Sequence, residues 1–255
     1  MPSAETVEVD FIAPRHLAGG GDLAWITVPL HRACGWSHGN DPLMPRVILS
    51  SPDQKALLRL EPDPDSQWWT LQHAPEPDRP AWYASFGART PVEIIAGFID
   101  ALTDPTAAPA PPQDALHPLL NAGWSAAYSH HRFASPDGTV SVDIHETTGT
   151  WWIGTLLEHA QPPVWQARFG EHTPPHLIAA FTTALADPRP VLRTGIPHLP
   201  TRDPDLVTHT RQEVPAVQLA SALEDRIRTL AARHTTAAAA PSVPRRPPAG
   251  PSHTR

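Results

Sequence analysis

Residues 86–105 read FGARTPVEIIAGFIDALTDP, and residues 169–188 read FGEHTPPHLIAAFTTALADP. The two stretches agree at 11 of 20 positions, so the chain contains an internal repeat. In each stretch Thr-Pro opens a run of apolar residues at helical spacing, and Asp-Pro closes it, because proline cannot continue a helix. The pattern predicts one helix per copy. In the first copy Thr90 is the expected N-cap, Pro91 the first helical residue and Glu93 the partner that completes a capping box.

The repeat extends upstream of these helices into residues typical of strands. Ser51-Pro-Asp53 returns as Ser135-Pro-Asp137, and tryptophans recur in step, 68, 69 and 82 against 151, 152 and 165. In the second copy Val140, Val142 and Ile144 alternate with polar residues, which is the period of a half-buried strand. The sequence therefore predicts an α+β fold of two tandem repeats, each an antiparallel β-meander of three or four strands followed by one helix. One unit alone is small for independent stability, so we expect the two to pack together.

Composition shifts divide the chain into seven predicted segments. They are an N-terminal extension (1–24), a first repeat unit (25–105), a Pro/Ala linker (106–115), a second repeat unit (116–188), a Pro-rich connector (189–214), a C-terminal helix (215–234) and a disordered basic tail (235–255). The helix is expected to bury an apolar face, and the tail is too rich in Ala, Pro and Arg to build a core. That helical face consists of Val217, Ala220, Leu223, Ile227, Leu230 and Ala231.

Charge and cysteine content limit the classes of function. The net charge is −7, but residues 215–255 carry +4, which leaves −11 on the remainder of the chain. An acidic body repels phosphate and is a poor general binder of nucleic acid. The single cysteine, Cys34, excludes an internal disulfide and a thiolate metal cluster. The N-terminus lacks the features of a signal peptide and no apolar run approaches a membrane span, so we expect a soluble cytoplasmic protein without membrane contact.

Tryptophan is the residue type that offers a binding surface. Eight of the nine tryptophans occupy recurring positions, which favours a structural role. Adjacent tryptophans on a strand point to opposite faces, so one of each pair can lie in the core and the other at the surface. Exposed members would be anchors for a protein or peptide partner, and packing in the core or between the units is the alternative. The candidates are Trp69, Trp152, Trp82 and Trp165.

The evidence for catalysis or for a cofactor is weak. Residues 35–39, Gly-Trp-Ser-His-Gly, match the pattern of a hydrolase nucleophile elbow, but a turn follows Ser37 where the motif needs a helix. The interpretation we favour is a turn with a buried tryptophan. The 15 histidines have no clustered carboxylate or cysteine partners, so they are expected to be solvated rather than metal ligands. The sequence therefore predicts no enzyme, no metal and no cofactor, with a serine hydrolase that uses Ser37 as a remote alternative.

A second functional alternative rests on the basic C-terminal segment. Arg226, Arg233, Arg245 and Arg246 would contact phosphates in an accessory nucleic-acid-binding protein, while the acidic body recruits another molecule. Such binding would be salt-sensitive and would disappear when the C-terminal segment is removed.

Several stretches resemble a known family. They are residues 29–38 (PLHRACGWSH), 51–54 (SPDQ), 68–69 (WW), 80–82 (PAW) and 84–95 (ASFGARTPVEII). These resemble the domain-of-unknown-function 317 family, which is abundant in actinomycetes and often occurs as two copies per chain. The likeness covers about residues 25–188 and is closer in the first unit. The second departs where Ala88-Arg89 becomes Glu171-His172 and where Val92-Glu93 becomes Pro175-His176.

The resemblance implies a two-unit layout but carries over no activity and no catalytic residue. It favours the leading hypothesis, which is a non-catalytic interaction module. Its partner would be a protein or peptide bound on a sheet face or between the units. Neither the partner nor the oligomeric state follows from the sequence.

Overall fold

A computed structural model describes residues 5–40, 46–61, 67–105, 115–127, 131–157, 163–195 and 199–239. The strands in these ranges are β1 (Thr6–Ala13), β2 (Ser37–Asn40), β3 (Val47–Ser50), β4 (Ala56–Leu60), β5 (Gln67–His73), β6 (Trp82–Gly87), β7 (Ser125–Ala126), β8 (Arg132–Ala134), β9 (Val140–Ile144), β10 (Trp151–Thr155), β11 (Trp165–Phe169), β12 (Val191–Thr194) and β13 (Thr208–Pro215). The helices are α1 (Ala24–Arg32), α2 (Val92–Leu102), α3 (His117–Asn121), α4 (Pro175–Ala186) and α5 (Ala216–Ala239), and a short 3₁₀-helix covers Arg15–Leu17.

Each repeat unit is a five-stranded antiparallel meander with a helix on either side of it in the chain. The first unit runs from α1 through β2–β6 to α2, and the second runs from α3 through β7–β11 to α4. This confirms the predicted α+β tandem repeat, with more strands than the three or four expected. The additional strands at the start of each meander have two to four residues, which is too short for alternation to be read from the sequence.

The two meanders join edge to edge into one ten-stranded sheet through β6 and β11. At this junction Phe86 lies opposite Ala167 and Phe169 lies opposite Ala84. Since Phe86 and Phe169 are equivalent in the repeat, as are Ala84 and Ala167, the units are related by an approximate two-fold axis through the β6–β11 pair. The units are therefore halves of one sheet.

One core spans both units beneath one face of the sheet. At its centre four phenylalanines contact one another with ring centroids 5.1 to 5.9 Å apart, one each from β6, α2, β11 and α4. They are Phe86, Phe98, Phe169 and Phe181, and all are fully buried. Stacked and edge-on rings at these distances add to the free energy of apolar burial. Neither unit has a core of its own.

The helices α2 and α4 pack closely against each other over this core. A Cβ atom on Gly97 would lie 2.7 Å from the Cβ of Ala184 and 3.0 Å from the carbonyl oxygen of Ala180. Glycine at this position therefore sets the distance between the two helices.

The predicted capping box of α2 is wrong. The N-cap residue is Pro91, and no side chain caps the helix. The hydroxyl of Thr90 is buried without a hydrogen-bond partner among the described residues. Glu93 instead accepts from both terminal nitrogens of Arg193, at 2.6 and 2.9 Å. Arg193 of the connector, more than 90 residues away in the chain, thus binds the carboxylate that the capping-box motif predicted to bond to the backbone at the start of α2.

The N-terminal extension and the Pro-rich connector form a second sheet, which composition did not predict. Its order is β12-β1-β13, and all of its pairs are antiparallel. Asp10 is buried in β1 and contacts Arg211 at 3.0 Å and His209 at 2.7 Å, both on β13. Burial acts to raise the pKa of Asp10, but hydrogen bonds from Arg211 and His209 outweigh it and hold the pKa below its usual value. Strands with partners this distant in the chain leave only a weak local signal.

The C-terminal helix is confirmed but is longer than predicted. It continues to Ala239, so the first five residues of the predicted tail are helical. Of the predicted apolar face, Ile227 and Leu230 are buried while Val217 is 73% exposed. Residues 240–255, with Arg245 and Arg246, and residues 106–114 of the linker lie outside the described residues.

The helices of the described ranges include none that is both long and apolar enough to cross a membrane.

Candidate binding face on the open side of the sheet

The recurring Ser-Pro-Asp motif is a hairpin turn. In the first unit, between β3 and β4, the Ser51 hydroxyl donates to Asp53 at 2.6 Å and accepts from the Ala56 amide at 2.9 Å. In the second unit, between β8 and β9, Ser135 makes the same contacts to Asp137 and Val140. The motif satisfies turn backbone groups that strand pairing leaves open. The motif occurs in both units because each hairpin uses it to hold its turn.

The recurring Gly-Trp-Ser motif packs against these turns. Gly35 and Gly123 have φ of +69° and +84°, and a Cβ on either glycine would meet the ring of Pro52 or Pro136 at 3.6 and 3.7 Å. The tryptophans that follow them are both buried. The buried tryptophan predicted for residues 35–39 is confirmed, but the chain turns only at Gly35 and Trp36, because Ser37 already belongs to strand β2.

Strand register changes the alignment of the tryptophan pairs. Trp69 lies opposite Phe86, and Trp151 lies opposite Phe169. Since the two phenylalanines are equivalent, Trp69 corresponds to Trp151 and not to Trp152. The pairing of β5 with β6 shifts between Gln67 and Trp69, so Trp68 takes the position of an extra residue in a bulge. Because of this one-residue shift, Trp152 of the second unit lies at the position that Thr70 occupies in the first unit.

Three of the four proposed tryptophan anchors are buried. Trp69 is 0% exposed, and Trp82 and Trp165 are 6% and 2% exposed. All three belong to the shared core, so they are not available to a partner at the surface, and the expectation that Trp69 is an exposed anchor is wrong. Trp152 is 45% exposed and is the one candidate of the four that presents its ring to solvent.

Trp152 stands in a line of side chains that crosses the face of the sheet opposite the helices. Successive members lie directly opposite one another on neighbouring strands. The line runs Gly39, Ile48, Arg59, Thr70, Ser85, Arg168, Trp152, Asp143, Arg132 from β2 to β8. We call the side of the sheet that carries this line the open face. Along each strand the residues of the open face alternate with core residues, because successive side chains of a strand point to opposite faces of the sheet.

Beside Trp152 the open face of the second unit contains a groove of about 600 Å³. Its floor is a cross-strand row of small residues, Gly154, Ser141 and Ala134, on β10, β9 and β8. Trp152 and Leu156, both 45% exposed, stand on either side of Gly154.

The described residues of the first unit do not repeat this row of small residues. The register places Gln72, Leu57 and Ser50 at the positions equivalent to Gly154, Ser141 and Ala134. Tyr83 stands at the end of this row, where the second unit has Gln166. Larger side chains therefore occupy the corresponding space. The copies share their scaffold residues and differ on the open face.

Arg168 lies against Trp152 next to the two-fold axis. Its guanidinium carbon is 4.5 Å from the centre of the Trp152 ring, which is a cation–π geometry. Its Nε and Nη2 donate to the side-chain oxygen of Gln166 at 3.0 and 2.8 Å. No described carboxylate pairs with Arg168, whereas the neighbouring Asp143 is paired with Arg132. A cation held on an aromatic face beside a groove is a surface suited to an acidic ligand.

A scan against protein families matches the chain twice. The SPDY domain of unknown function (DUF317) matches residues 50–108 and again residues 134–191. The chain contains two copies of the DUF317 domain. Separate searches of curated proteins and of solved structures found no match.

Each DUF317 match starts at the residue just before the Ser-Pro-Asp turn, Ser50 or Ala134, and continues beyond the helix that covers the core. The matches include Trp152, Gly154 and Arg168 in the second copy. Helices α1 and α3 and the three-stranded sheet lie wholly or mostly outside them. The groove therefore lies within a DUF317 copy, on residues at which this chain's two copies differ.

The remaining sequence candidates have structural contacts. Ser37 begins strand β2 after a helix and a turn, which is the reverse of the strand–turn–helix order of a nucleophile elbow. Its hydroxyl donates to the carbonyl oxygen of Ser50 at 3.4 Å.

Arg226 is not available for phosphate contact. Its terminal nitrogens donate to Asp100 at 2.9 and 2.6 Å, its Nε donates to the Trp25 carbonyl at 2.9 Å, and its guanidinium lies over the Trp25 ring. Arg233 is exposed, and Arg245 and Arg246 lie outside the described residues. The prediction that Arg226 contacts phosphate is wrong, because the side chain holds α5 to α1 and α2.

His16 departs from the expectation of solvated histidine side chains. His16 is buried, and its Nε2 lies 3.1 Å from Asp137 and 2.8 Å from the Thr139 hydroxyl. Burial acts to raise the pKa of Asp137, but hydrogen bonds from His16, Ser135 and the Thr139 amide outweigh it and hold the pKa far below its usual range. The described residues contain no group of three potential metal ligands.

A larger hollow of about 990 Å³ lies between the loop before α1, β12 and α5. Its arginines are paired with carboxylates, and Asp22 accepts a hydrogen bond from the Ala24 amide at the start of α1. Arg193 binds Glu93, and Arg15 and Arg189 both bind Asp187. The glycines there serve packing, since a Cβ on Gly20 would lie 2.8 Å from the Ala88 carbonyl oxygen. The groove beside Trp152 is the stronger candidate.

Proposed function

We propose that this protein is a non-catalytic interaction module of the cytoplasm that binds a protein or peptide partner on the open face of its second DUF317 copy. The observation that carries the proposal is the exposed Trp152 beside a groove whose floor of small residues is not repeated among the described residues of the first copy. Tryptophan, tyrosine and arginine dominate the binding energy of protein interfaces, and Trp152, Tyr83 and Arg168 are all on this face. The tryptophans that both copies share at equivalent positions are buried, so they support the fold.

The first copy provides the matched variant for the test. Trp152→Thr introduces the residue that the first copy carries at Thr70, on a face that is already exposed, so the fold should be retained. We expect this substitution to weaken capture of a host protein on full-length bait at least tenfold, since loss of a hot-spot side chain costs about 2 kcal/mol or more. The captured protein is then purified, and its dissociation constant is measured against wild-type and variant chains.

Two controls separate this function from the alternatives. Val217→Ala changes an exposed apolar residue on α5 and should leave binding unchanged. A chain that ends at Ala239 removes Arg245, Arg246 and Arg255 but keeps α5, whereas a cut near Asp205 would remove β13 from the sheet that holds β1. Binding that survives Trp152→Thr, or that requires residues 240–255 together with nucleic acid, would contradict the proposal.

A further inference from the structure

We infer that the groove of the second copy binds an extended acidic peptide, with a carboxylate of the peptide on Arg168 and an aromatic or large aliphatic side chain on the floor at Gly154. This inference rests on the proposed function, because it names the chemistry of the partner at the same site.

The charge of the partner follows from the cations of the open face. Arg168 is half-buried, and its Nε and Nη2 donate hydrogen bonds to the neutral side chain of Gln166. Its Nη1 has no acceptor among the described residues. Arg59, on the same cross-strand line, has no carboxylate partner in the described part of the chain either. Asp143, the carboxylate of this line, is neutralised by Arg132. Among the described residues of the open face, Arg168 and Arg59 are therefore cations without a carboxylate partner, on a chain whose net charge is −7, and a charge-assisted bond to a carboxylate is their natural complement.

The apolar part of the partner follows from the shape of the groove. Gly154, Ser141 and Ala134 lie on three adjacent strands, so the floor spans about 10 Å between the outer two. Trp152 of β10 and Leu156, the residue after β10, lie four residues apart, about 13 Å at the rise of a strand, which leaves room above Gly154 for one large side chain between them. A ring there would stack on Trp152, and such aromatic pairs contribute about 0.5–1.5 kcal/mol beyond area burial.

A nucleic-acid base is the competing occupant, because arginine and tryptophan also form stacking platforms for bases. The charge of the chain disfavours it. The −11 carried by residues 1–214 repels a phosphate backbone, whereas an acidic peptide brings a few charges that it can place directly on Arg168. We therefore assign the groove to a peptide.

The test is an unbiased selection from a library of random linear nine-residue peptides on the immobilised full chain. We expect enrichment of Asp or Glu next to an aromatic or large aliphatic residue. Selection on Arg168→Glu should reverse the preference to Lys or Arg, a result that a purely structural role for Arg168 would not produce. Enrichment of basic or uncharged peptides on the wild-type chain, or the same acidic preference on Arg168→Glu, would overturn the inference.

Gly154→Gln tests the groove itself. A Cβ at this position would meet only the Trp165 carbonyl oxygen, at 3.6 Å, and the first copy already carries Gln72 there, so the variant should fold. We expect it to weaken the selected peptide at least tenfold in fluorescence anisotropy, with an unchanged thermal midpoint. Gln72→Gly, the reciprocal change in the first copy, is the control and should leave binding unchanged.

The outcomes distinguish this inference from the proposed function. If the library yields no peptide, or if a single-stranded oligonucleotide of thymidine binds the groove more tightly than the selected peptide, the inference fails. The proposed function still stands if a captured protein partner depends on Trp152. If capture is indifferent to Trp152, the proposed function fails, and the inference fails with it.

Discussion

At the scale of single residues, the open face is decided by small substitutions between equivalent positions. The second copy has Trp152 where the first has Thr70, and Gly154 where the first has Gln72. These two differences change a filled surface into a groove with an aromatic wall. Neither change touches the core, because both positions face away from it. Two copies can thus keep one fold and still differ in what they bind.

Asp187 illustrates how a residue that ends a helix depends on distant partners. It is the C-cap of α4, where a negative charge opposes the helix dipole. Arg189 and Arg15 compensate, with nitrogen–oxygen distances of 2.6 and 2.8 Å. Hydrogen bonds from the Arg189 side chain are the largest cause that lowers the pKa of Asp187 to about 2, against the opposing effect of burial.

The depressed pKa gives a pH-dependent prediction. Asp187→Asn should lower the free energy of unfolding by roughly 1–3 kcal/mol at pH 7, the range for hydrogen bonds to charged groups. The contribution is fully present above the unfolded pKa near 4 and is lost as the pH falls toward 2, because the folded carboxyl is then protonated as well. Urea unfolding of both chains at pH 7, 5, 4 and 3 measures the difference. A difference that stays constant down to pH 3 would contradict this.

At the scale of elements, α5 is attached to the repeat body through Arg226 and through the buried side chains of Ile227 and Leu230. The ion pair between Arg226 and Asp100 of α2 is largely buried, and Arg32 of α1 forms a second ion pair with Glu224 of α5. The composition of this helix suggested a phosphate-binding element, but its best-placed arginine serves packing.

Removal of this contact should loosen α5 without disturbing the sheet. Arg226→Met leaves Asp100 partly buried and unpaired, at a cost of about 3 kcal/mol. We expect amide exchange in α5 to become about 100-fold faster, while amides of α2 and α4 stay protected. Hydrogen exchange followed by mass spectrometry measures both. The double variant Arg226→Met/Asp100→Leu should recover most of the protection, and slow exchange of α5 in the single variant would show that other contacts hold it.

At the scale of the whole molecule, the two DUF317 copies share one sheet and one core, so we expect them to unfold as one cooperative unit. The sheet is continuous across β6 and β11, and the four central phenylalanines come from both copies. Damage to one side of this cluster therefore damages the packing of the other.

Phe181→Ala tests this cooperativity. Loss of the buried ring should cost about 3–5 kcal/mol and lower the midpoint by roughly 10 °C. Both copies should still unfold in a single calorimetric transition whose van't Hoff and calorimetric enthalpies agree. Two separate transitions, with the first copy unaffected, would show that the copies fold independently.

The sequence by itself determined the repeat, the α+β class, both core helices and the burial of Trp36. These features are encoded locally, by proline stops, by residue periodicity and by motifs that occur twice. The assignment of the two DUF317 copies follows from the same local motifs.

Only the tertiary structure decided which tryptophan is exposed and where Glu93 and Arg226 find their partners. A single bulge at Trp68 shifts the pairs by one residue, and alternation converts that shift into a change of face. The partners of Glu93 and Arg226 lie more than 90 residues away, beyond the range of any local pattern. The groove likewise depends on three strands that are adjacent only in the folded sheet.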